Sequence, residues 1–175
     1  MNTRVYWIAS AEMSPGRLAI MPRPRGGVQL VDEVLALREE NVDVLVSLLS
    51  PEEVEEWTLQ QEHIVCKAQG IEFIHFPVPD HGVPEVNQNS IQLIQSLVNK
   101  LARGESIVLH CRMGVGRSSL LAACVLAARG VRVDSAFSRI AEARGRLVPD
   151  TEAQYDWLSE FTQSPAFRLV STATA

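Results

Sequence analysis

Apolar residues along the chain fall into short runs separated by longer amphipathic stretches. The runs Val5–Ala9, Leu18–Met21, Val42–Leu49, Ile71–Phe76 and Ser106–His110 have the length and composition of strands. Val42–Leu49 and Ser106–Leu109 are apolar enough to be central strands with both faces covered. Helical spacing appears between and after them. Val31, Val34 and Leu35 form a stripe ending near Asn41, and Ile91, Ile94, Leu97, Val98 and Leu101 form another, started by Asn89 or Ser90 and stopped by Gly104. Leu120 to Ala128 is apolar throughout. Phe137, Ile140 and Ala141 form a stripe stopped by Gly145, and Ala153, Trp157, Leu158 and Phe161 form the last. Strands alternating with helices predict an α/β fold: a central, mostly parallel sheet flanked by helices, with a ligand site beyond the strands' C-terminal ends.

At 175 residues the expected organisation is one domain over residues 1–163, followed by a weakly patterned, loosely ordered tail at 164–175. Lys plus Arg is 16 and Asp plus Glu is 21, a formal net charge of −5. Such a chain lacks the broad basic surface of a general nucleic-acid binder, although Arg129, Arg132, Arg139, Arg144 and Arg146 cluster late in the sequence. The longest apolar run is nine residues, too short to span a bilayer, and the N-terminus has no signal-peptide core. Three sparse cysteines, Cys66, Cys111 and Cys124, fit a reducing compartment, so a cytoplasmic location is expected. The histidines are scattered and no two cysteines are close, so neither a metal nor another cofactor is expected.

The run His110-Cys111-Arg112-Met113-Gly114-Val115-Gly116-Arg117-Ser118 carries the chemistry. It follows a strand-like run and precedes a helix-like one. That order gathers backbone N–H groups around an anion at a helix N-terminus. Residues Arg112, Met113, Gly114, Val115 and Gly116 can supply amides to phosphate oxygens, and the two glycines permit unusual backbone angles. Arg117, six positions after Cys111, adds a planar fork that binds two oxygens at once. Cys111 is placed to attack the bound anion. An ordinary cysteine titrates near about 8.5, and the helix N-terminus, the amides and Arg117 all favour the thiolate nucleophile. Ser118 can donate to the sulfur when it leaves, and His110 can order the loop through its ring N–H. A cysteine alone would be read as a small buried residue; the arginine, the glycines and the strand–loop–helix order change that reading.

This loop resembles the signature loop of the cysteine-dependent protein phosphatases, the tyrosine and dual-specificity superfamily. The resemblance covers about Arg17 to Phe161, though only the loop is sharp. It implies a metal-independent phosphatase acting through a phosphocysteine on Cys111, with Arg117 as the phosphate clamp and Ser118 as the leaving-group helper. It also implies an upstream aspartate that protonates the leaving oxygen and later activates water. Asp80, in Pro77-Val78-Pro79-Asp80-His81-Gly82-Val83-Pro84, lies thirty-one positions before Cys111. By itself Pro-Asp-x-Gly is a favoured turn. With the signature loop present, general acid is the better reading of Asp80, and His81 is read as a loop residue. Val-Pro-Asp replaces the Trp-Pro-Asp of tyrosine-specific members, and no Lys-Asn-Arg-Tyr segment occurs, so the chain looks like a compact dual-specificity-type member.

Related phosphatases often place a glutamine near the hydrolytic water. Gln154 could do so here, or it could serve only the capping box Thr151-x-x-Gln154. Arg144 and Arg146 could border the pocket or be solvated. Some relatives protect the nucleophile with an internal disulfide, which would pair Cys66 with Cys111; otherwise Cys66, like Cys124, is structural. The expected partner is a phosphorylated protein or peptide carrying phosphotyrosine, with phosphoserine and phosphothreonine as further substrates. A phosphoinositide or small phosphate ester is the alternative substrate, and a phosphate-binding module without turnover is the alternative from another class. Oligomeric state is left open by the sequence.

Overall fold

The computed structural model describes residues 2–171. Its centre is a five-stranded sheet in the order β1-β2-β5-β3-β4. The strands are β1 (Tyr6–Trp7), β2 (Arg17–Met21), β3 (Val44–Ser47), β4 (Glu72–His75) and β5 (Ser106–His110). All pairs are parallel except the edge pair β1–β2. β5 is central: Ile107 is in register with Leu18 on one side and Val44 on the other. Every β5 residue is buried, as the continuous apolar run requires when helices cover both faces. The expected α/β architecture is therefore the observed one. The Val5–Ala9 run contributes only a two-residue antiparallel edge strand.

Strand alternation divides the core in two. Leu18, Ile20, Val46, Ile107 and Leu109 face α4 (Gln88–Ala102), α5 (Arg117–Ala128), α6 (Val133–Arg144) and α7 (Glu152–Gln163). Ala19, Met21, Leu45 and Val108 face α1 (Leu30–Glu39) and α3 (Glu62–Ala68). Each such aliphatic side chain, fully withdrawn from water, stabilises the fold by about 1.5–3 kcal/mol. Cys111 belongs to the first core and Cys66 to the second, so the sheet separates the two thiols and the suggested pairing does not form in this fold. Burial, reinforced by the Glu62 charge, pushes the Cys66 thiol up to about 12.

Several elements differ from expectation for identifiable reasons. α1 buries Leu30, Glu33, Val34 and Leu37, while Val31 and Leu35 are exposed. The true stripe contains a glutamate, held inside by Arg25 and by the Thr3 backbone N–H, 2.9 Å away. α4 is capped by Asn87 rather than Asn89 or Ser90, through a reciprocal bond pair with Ser90. Two helices stand between β3 and β4 where none was read: α2 (Pro51–Glu56) and α3. The chain after Gln163 was expected to be loose, yet Pro165–Ser171 form α8, which buries Val170 and sets Phe167 edge-on to Phe161 at 5.5 Å. Residues 172–175 of that expected tail lie outside the described residues. Among the described residues no helix is long and apolar enough to cross a membrane.

Val170→Ala is expected to lower stability by about 1–3 kcal/mol, seen as a shifted urea midpoint with an unchanged slope. A wild-type midpoint would mean that α8 is not part of the cooperative fold.

Candidate active site

β5 delivers Cys111 to the carboxyl end of the sheet, and α5 starts six residues later at Arg117. α5 is buried along its whole length, so the loop between is anchored at both ends in the core. Cys111 is 3 % exposed, and its Sγ lies 3.3 Å from Ser118 Oγ. Gly114 takes φ +64°, and a β-carbon there would stand 2.5 Å from the Met21 carbonyl carbon. Only glycine satisfies both the angle and the space. Gly116 differs from expectation, because its φ is an ordinary −87°. It is needed for room: a β-carbon would stand 2.6 Å from Asp150 Oδ2 and 3.0 Å from Gln154 Nε2.

Arg144 reaches the loop from α6, donating to the Gly114 carbonyl at 2.9 Å and the Met113 carbonyl at 3.2 Å. Its guanidinium lies 4.3 Å from the Tyr6 ring centre. Arg144 is therefore a brace of the loop, whereas Arg146 is exposed. His110 is fully buried, its Nδ1 3.4 Å from the Cys111 carbonyl oxygen. Its Nε2 lies 3.0 Å from Glu62 Oε1, a close contact that lacks hydrogen-bond alignment.

Arg117 is almost wholly buried. Glu53 holds it with two bonds, Nη1 to Oε2 at 2.7 Å and Nη2 to Oε1 at 2.8 Å, and the Val78 carbonyl accepts a third at 3.0 Å. Burial disfavours the guanidinium charge, but the bonds from Glu53 and the charges of Cys111, Glu53 and Asp80 outweigh it and raise the Arg117 value. Burial likewise pushes the Glu53 carboxyl up, yet Arg117 and the Ser50 backbone N–H bring it below the usual carboxylate range. Glu53 owes its place to a capping box: Ser50 N–H donates to Glu53 Oε2 at 2.9 Å, and Glu53 N–H returns a bond to Ser50 Oγ.

Asp80 comes from the loop after β4, in a turn closed by the Gly82 N–H on the Pro79 carbonyl at 2.8 Å. His81 occupies the left-handed position of that turn, φ +56°. Asp80 Oδ1 is 3.0 Å from Arg117 Nη2 and accepts the His81 N–H at 3.0 Å. Its Oδ2 is 3.7 Å from Arg112 Nη1. Asp80, His81, Cys111, Arg112, Met113, Arg117 and Asp150 together line one pocket of about 280 Å³.

Gln154 is fully buried and does not line this pocket. Its Oε1 accepts the Thr151 N–H in the capping box, and its Nε2 donates to the Gly82 carbonyl at 3.1 Å. It ties α7 to the Asp80 loop. Three residues of the site were missed in the sequence: Glu53, Glu62 and Asp150. The Ser50-x-x-Glu53 pattern carried a signal for Glu53; the other two had none. Among the described residues no group of three or more His, Cys, Asp or Glu is arranged to hold a metal ion.

Comparison with known proteins gives this geometry a family. The family model described as a polymorphic toxin system DSP-PTPase phosphatase matches residues 19–131. The chain therefore belongs to this DSP-PTPase phosphatase family, of dual-specificity and protein-tyrosine phosphatase type. Cyclin-dependent kinase inhibitor 3 of Rattus norvegicus is 32 % identical over 104 residues, covering 58 % of this chain and 49 % of the relative. The Homo sapiens protein of the same name is 31 % identical over 104 residues, with coverage of 58 % and 49 %. The chain thus spans about half the length of the curated relatives it matches. Among solved structures, kinase associated phosphatase, with serine in place of its catalytic-site cysteine, shares the fold at TM-score 0.82 and 18 % identity, over 93 % of this chain and 96 % of that one.

Because the folded-state value of Glu53 lies below its ordinary one, ionised Glu53 stabilises the fold at neutral pH. That contribution disappears as pH falls through the lowered value. Glu53→Gln is expected to cost about 3 kcal/mol at pH 7 by leaving Arg117 half-paired. The gap from wild type should narrow in acid, as read by urea unfolding at several pH values. A gap independent of pH would show that the pair contributes nothing through its charge.

Proposed function

We propose that the chain hydrolyses phosphate monoesters on proteins through a phosphocysteine on Cys111. The observation that carries this reading is the convergence of Cys111 and Arg117, from the two ends of one loop, with Asp80, from a separate segment, on one small pocket. The Cys111 thiolate attacks phosphorus while Arg117 binds two of the three non-bridging oxygens and the loop amides of residues 112–117 donate to all three. Phosphate takes the place of Asp80 at Arg117 Nη2, and the Asp80 carboxyl in its protonated form gives its proton to the leaving oxygen as the P–O bond breaks and the P–S bond forms. Water then attacks the phosphocysteine, giving a proton to the Asp80 carboxylate; the P–S bond breaks, and the electron pair returns to sulfur, eased by the Ser118 hydroxyl.

A phosphorylated protein or peptide is the substrate class favoured by family membership. A groove of about 510 Å³, walled by Pro51, Pro77 and Pro79, adjoins the pocket and shares Asp80 and Arg112 with it. It offers room for residues flanking the phosphorylated side chain. A reducing, cytoplasmic setting fits three unpaired thiols, one of them the nucleophile.

Para-nitrophenyl phosphate and a panel of phosphopeptides test the reading. Reduced wild-type protein should turn over; Cys111→Ser should not, and Asp80→Asn should be slower by about a hundredfold to ten-thousandfold. Activity in Cys111→Ser would overturn the nucleophile assignment, and a wild-type rate in Asp80→Asn would place the acid elsewhere.

A further inference from the structure

Beneath the catalytic loop lies a buried polar cluster that the scheme above leaves without a role. His110 ends β5, and its register partners are Met21 on one side and Ser47 on the other, so all three side chains point to the face that α3 covers. Glu62, in the first turn of α3, brings its Oε1 to 3.0 Å from His110 Nε2. Glu62 is 1 % exposed and His110 0 %, so neither side chain turns to bulk water for a partner. We infer that Glu62 is a positioning residue of the reaction: it fixes the tautomer of His110, and through it the backbone of the nucleophile. This rests on the phosphocysteine reading and adds a residue to it.

Each ring nitrogen of His110 faces an acceptor. Nδ1 lies 3.4 Å from the Cys111 carbonyl oxygen, which only accepts, so an attractive contact there needs hydrogen on Nδ1. Nε2 faces the carboxyl group, and among the described residues no other group hydrogen-bonds that nitrogen or either Glu62 oxygen. Two forms of the pair satisfy both ends: a proton on Nε2 beside the carboxylate, or the same proton on Glu62 with Nε2 accepting it. Nδ1 keeps its hydrogen in both. The remaining form, an Nε2–H ring beside a bare carboxylate, buries a net charge and turns the Nδ1 lone pair onto the carbonyl oxygen. Turning the carboxyl group about its last torsion, a broad rotor, aligns the contact. Ser47 Oγ, also buried there without a partner, selects no tautomer, because a hydroxyl donates or accepts equally well. Cys66, one turn along α3, is kept a neutral thiol by burial and by the Glu62 charge, so it brings no second charge to the pair.

The consequence reaches the reacting atoms through one peptide plane. A planar trans peptide points its C=O and the following N–H in opposite directions. Holding the Cys111 carbonyl down on the His110 ring therefore aims the Arg112 N–H away from the ring, and this is the first of the amides that the scheme assigns to phosphate. A ring with its lone pair on Nδ1 would repel the same carbonyl and turn that amide. Donors aimed in advance at the transferring group are worth most when they need no reorientation during the reaction. Glu62 touches neither phosphate nor sulfur in this arrangement; it acts only through His110.

Turnover of para-nitrophenyl phosphate by wild type, Glu62→Leu, Glu62→Gln, His110→Phe and the Glu62→Leu/His110→Phe double variant tests this, beside NMR of protein labelled at its histidine ring nitrogens. Leucine fills the space of Glu62 without a polar atom, so kcat of Glu62→Leu should fall by about tenfold to a hundredfold. Glutamine can donate from its amide to Nε2 and preserve the tautomer, so Glu62→Gln should stay within about threefold of wild type. His110→Phe should lose activity, and Glu62→Leu added to it should lose no more, because the effect runs through the ring. The wild-type resonance that is missing from the His110→Phe spectrum should show hydrogen on Nδ1. Wild-type kcat in Glu62→Leu, or losses that multiply in the double variant, would overturn the inference. A wild-type His110 ring protonated on Nε2 alone would overturn it too, whether or not the variants fold. No turnover by reduced wild type would overturn the phosphatase reading and the positioning role with it, whereas turnover with the Nε2 tautomer would overturn the positioning role alone.

Discussion

The buried two-point pair between Arg117 and Glu53 is the constraint on which the site depends. A guanidinium withdrawn from water is costly unless its donors are matched, and here the fork meets a carboxylate from α2, a carbonyl from the Asp80 loop and the Asp80 carboxylate itself. One side chain thereby joins three segments that are distant in sequence. The pair also fixes the guanidinium plane, which is what a clamp for a planar set of phosphate oxygens requires. Had a lysine stood at 117, neither the twofold bond nor the orientation would exist.

Everything else holds that arrangement in register. Parallel pairing of β5 with β2 and β3 brings the strand ends Met21, Ser47 and His110 to one edge. The loop rises from that edge and returns into α5, whose burial leaves its N-terminus no freedom to drift. Gly114 lets the loop press against Met21, Arg144 grips its carbonyls from α6, and His110 sits beneath it against Glu62. Gln154 then fastens α7 to the Asp80 loop. The pocket is a meeting point of segments that are each held by contacts to another element.

The fold was legible where physical signals are local. Fully buried strands are continuous apolar runs, and β3 and β5 stand where such runs lie. The glycine-bearing loop between strand and helix was equally plain, because C-x5-R with that context has few other uses. Legibility failed where partners are remote. α2 is almost all acid, with Val54 its one apolar residue, so no stripe marks it; its stability comes from the Ser50 cap and from Glu53 meeting Arg117 sixty-four positions away. The α1 stripe was misread because Glu33 lies on its buried face, masked by Arg25. Asp150 carried no sequence signal at all, and only the folding of α7 against Gly116 brings it to the pocket.

The central claim is that phosphoryl transfer passes through the Cys111 sulfur. Acid-quenching the reduced wild-type protein during turnover of para-nitrophenyl phosphate, followed by peptide mass analysis, tests it most directly. One phosphate is expected, fixed to Cys111 and carried by the peptide of residues 104–112 that cleavage after Arg103 and Arg112 releases. Phosphate on another side chain, or turnover with Cys111 never modified, would contradict it.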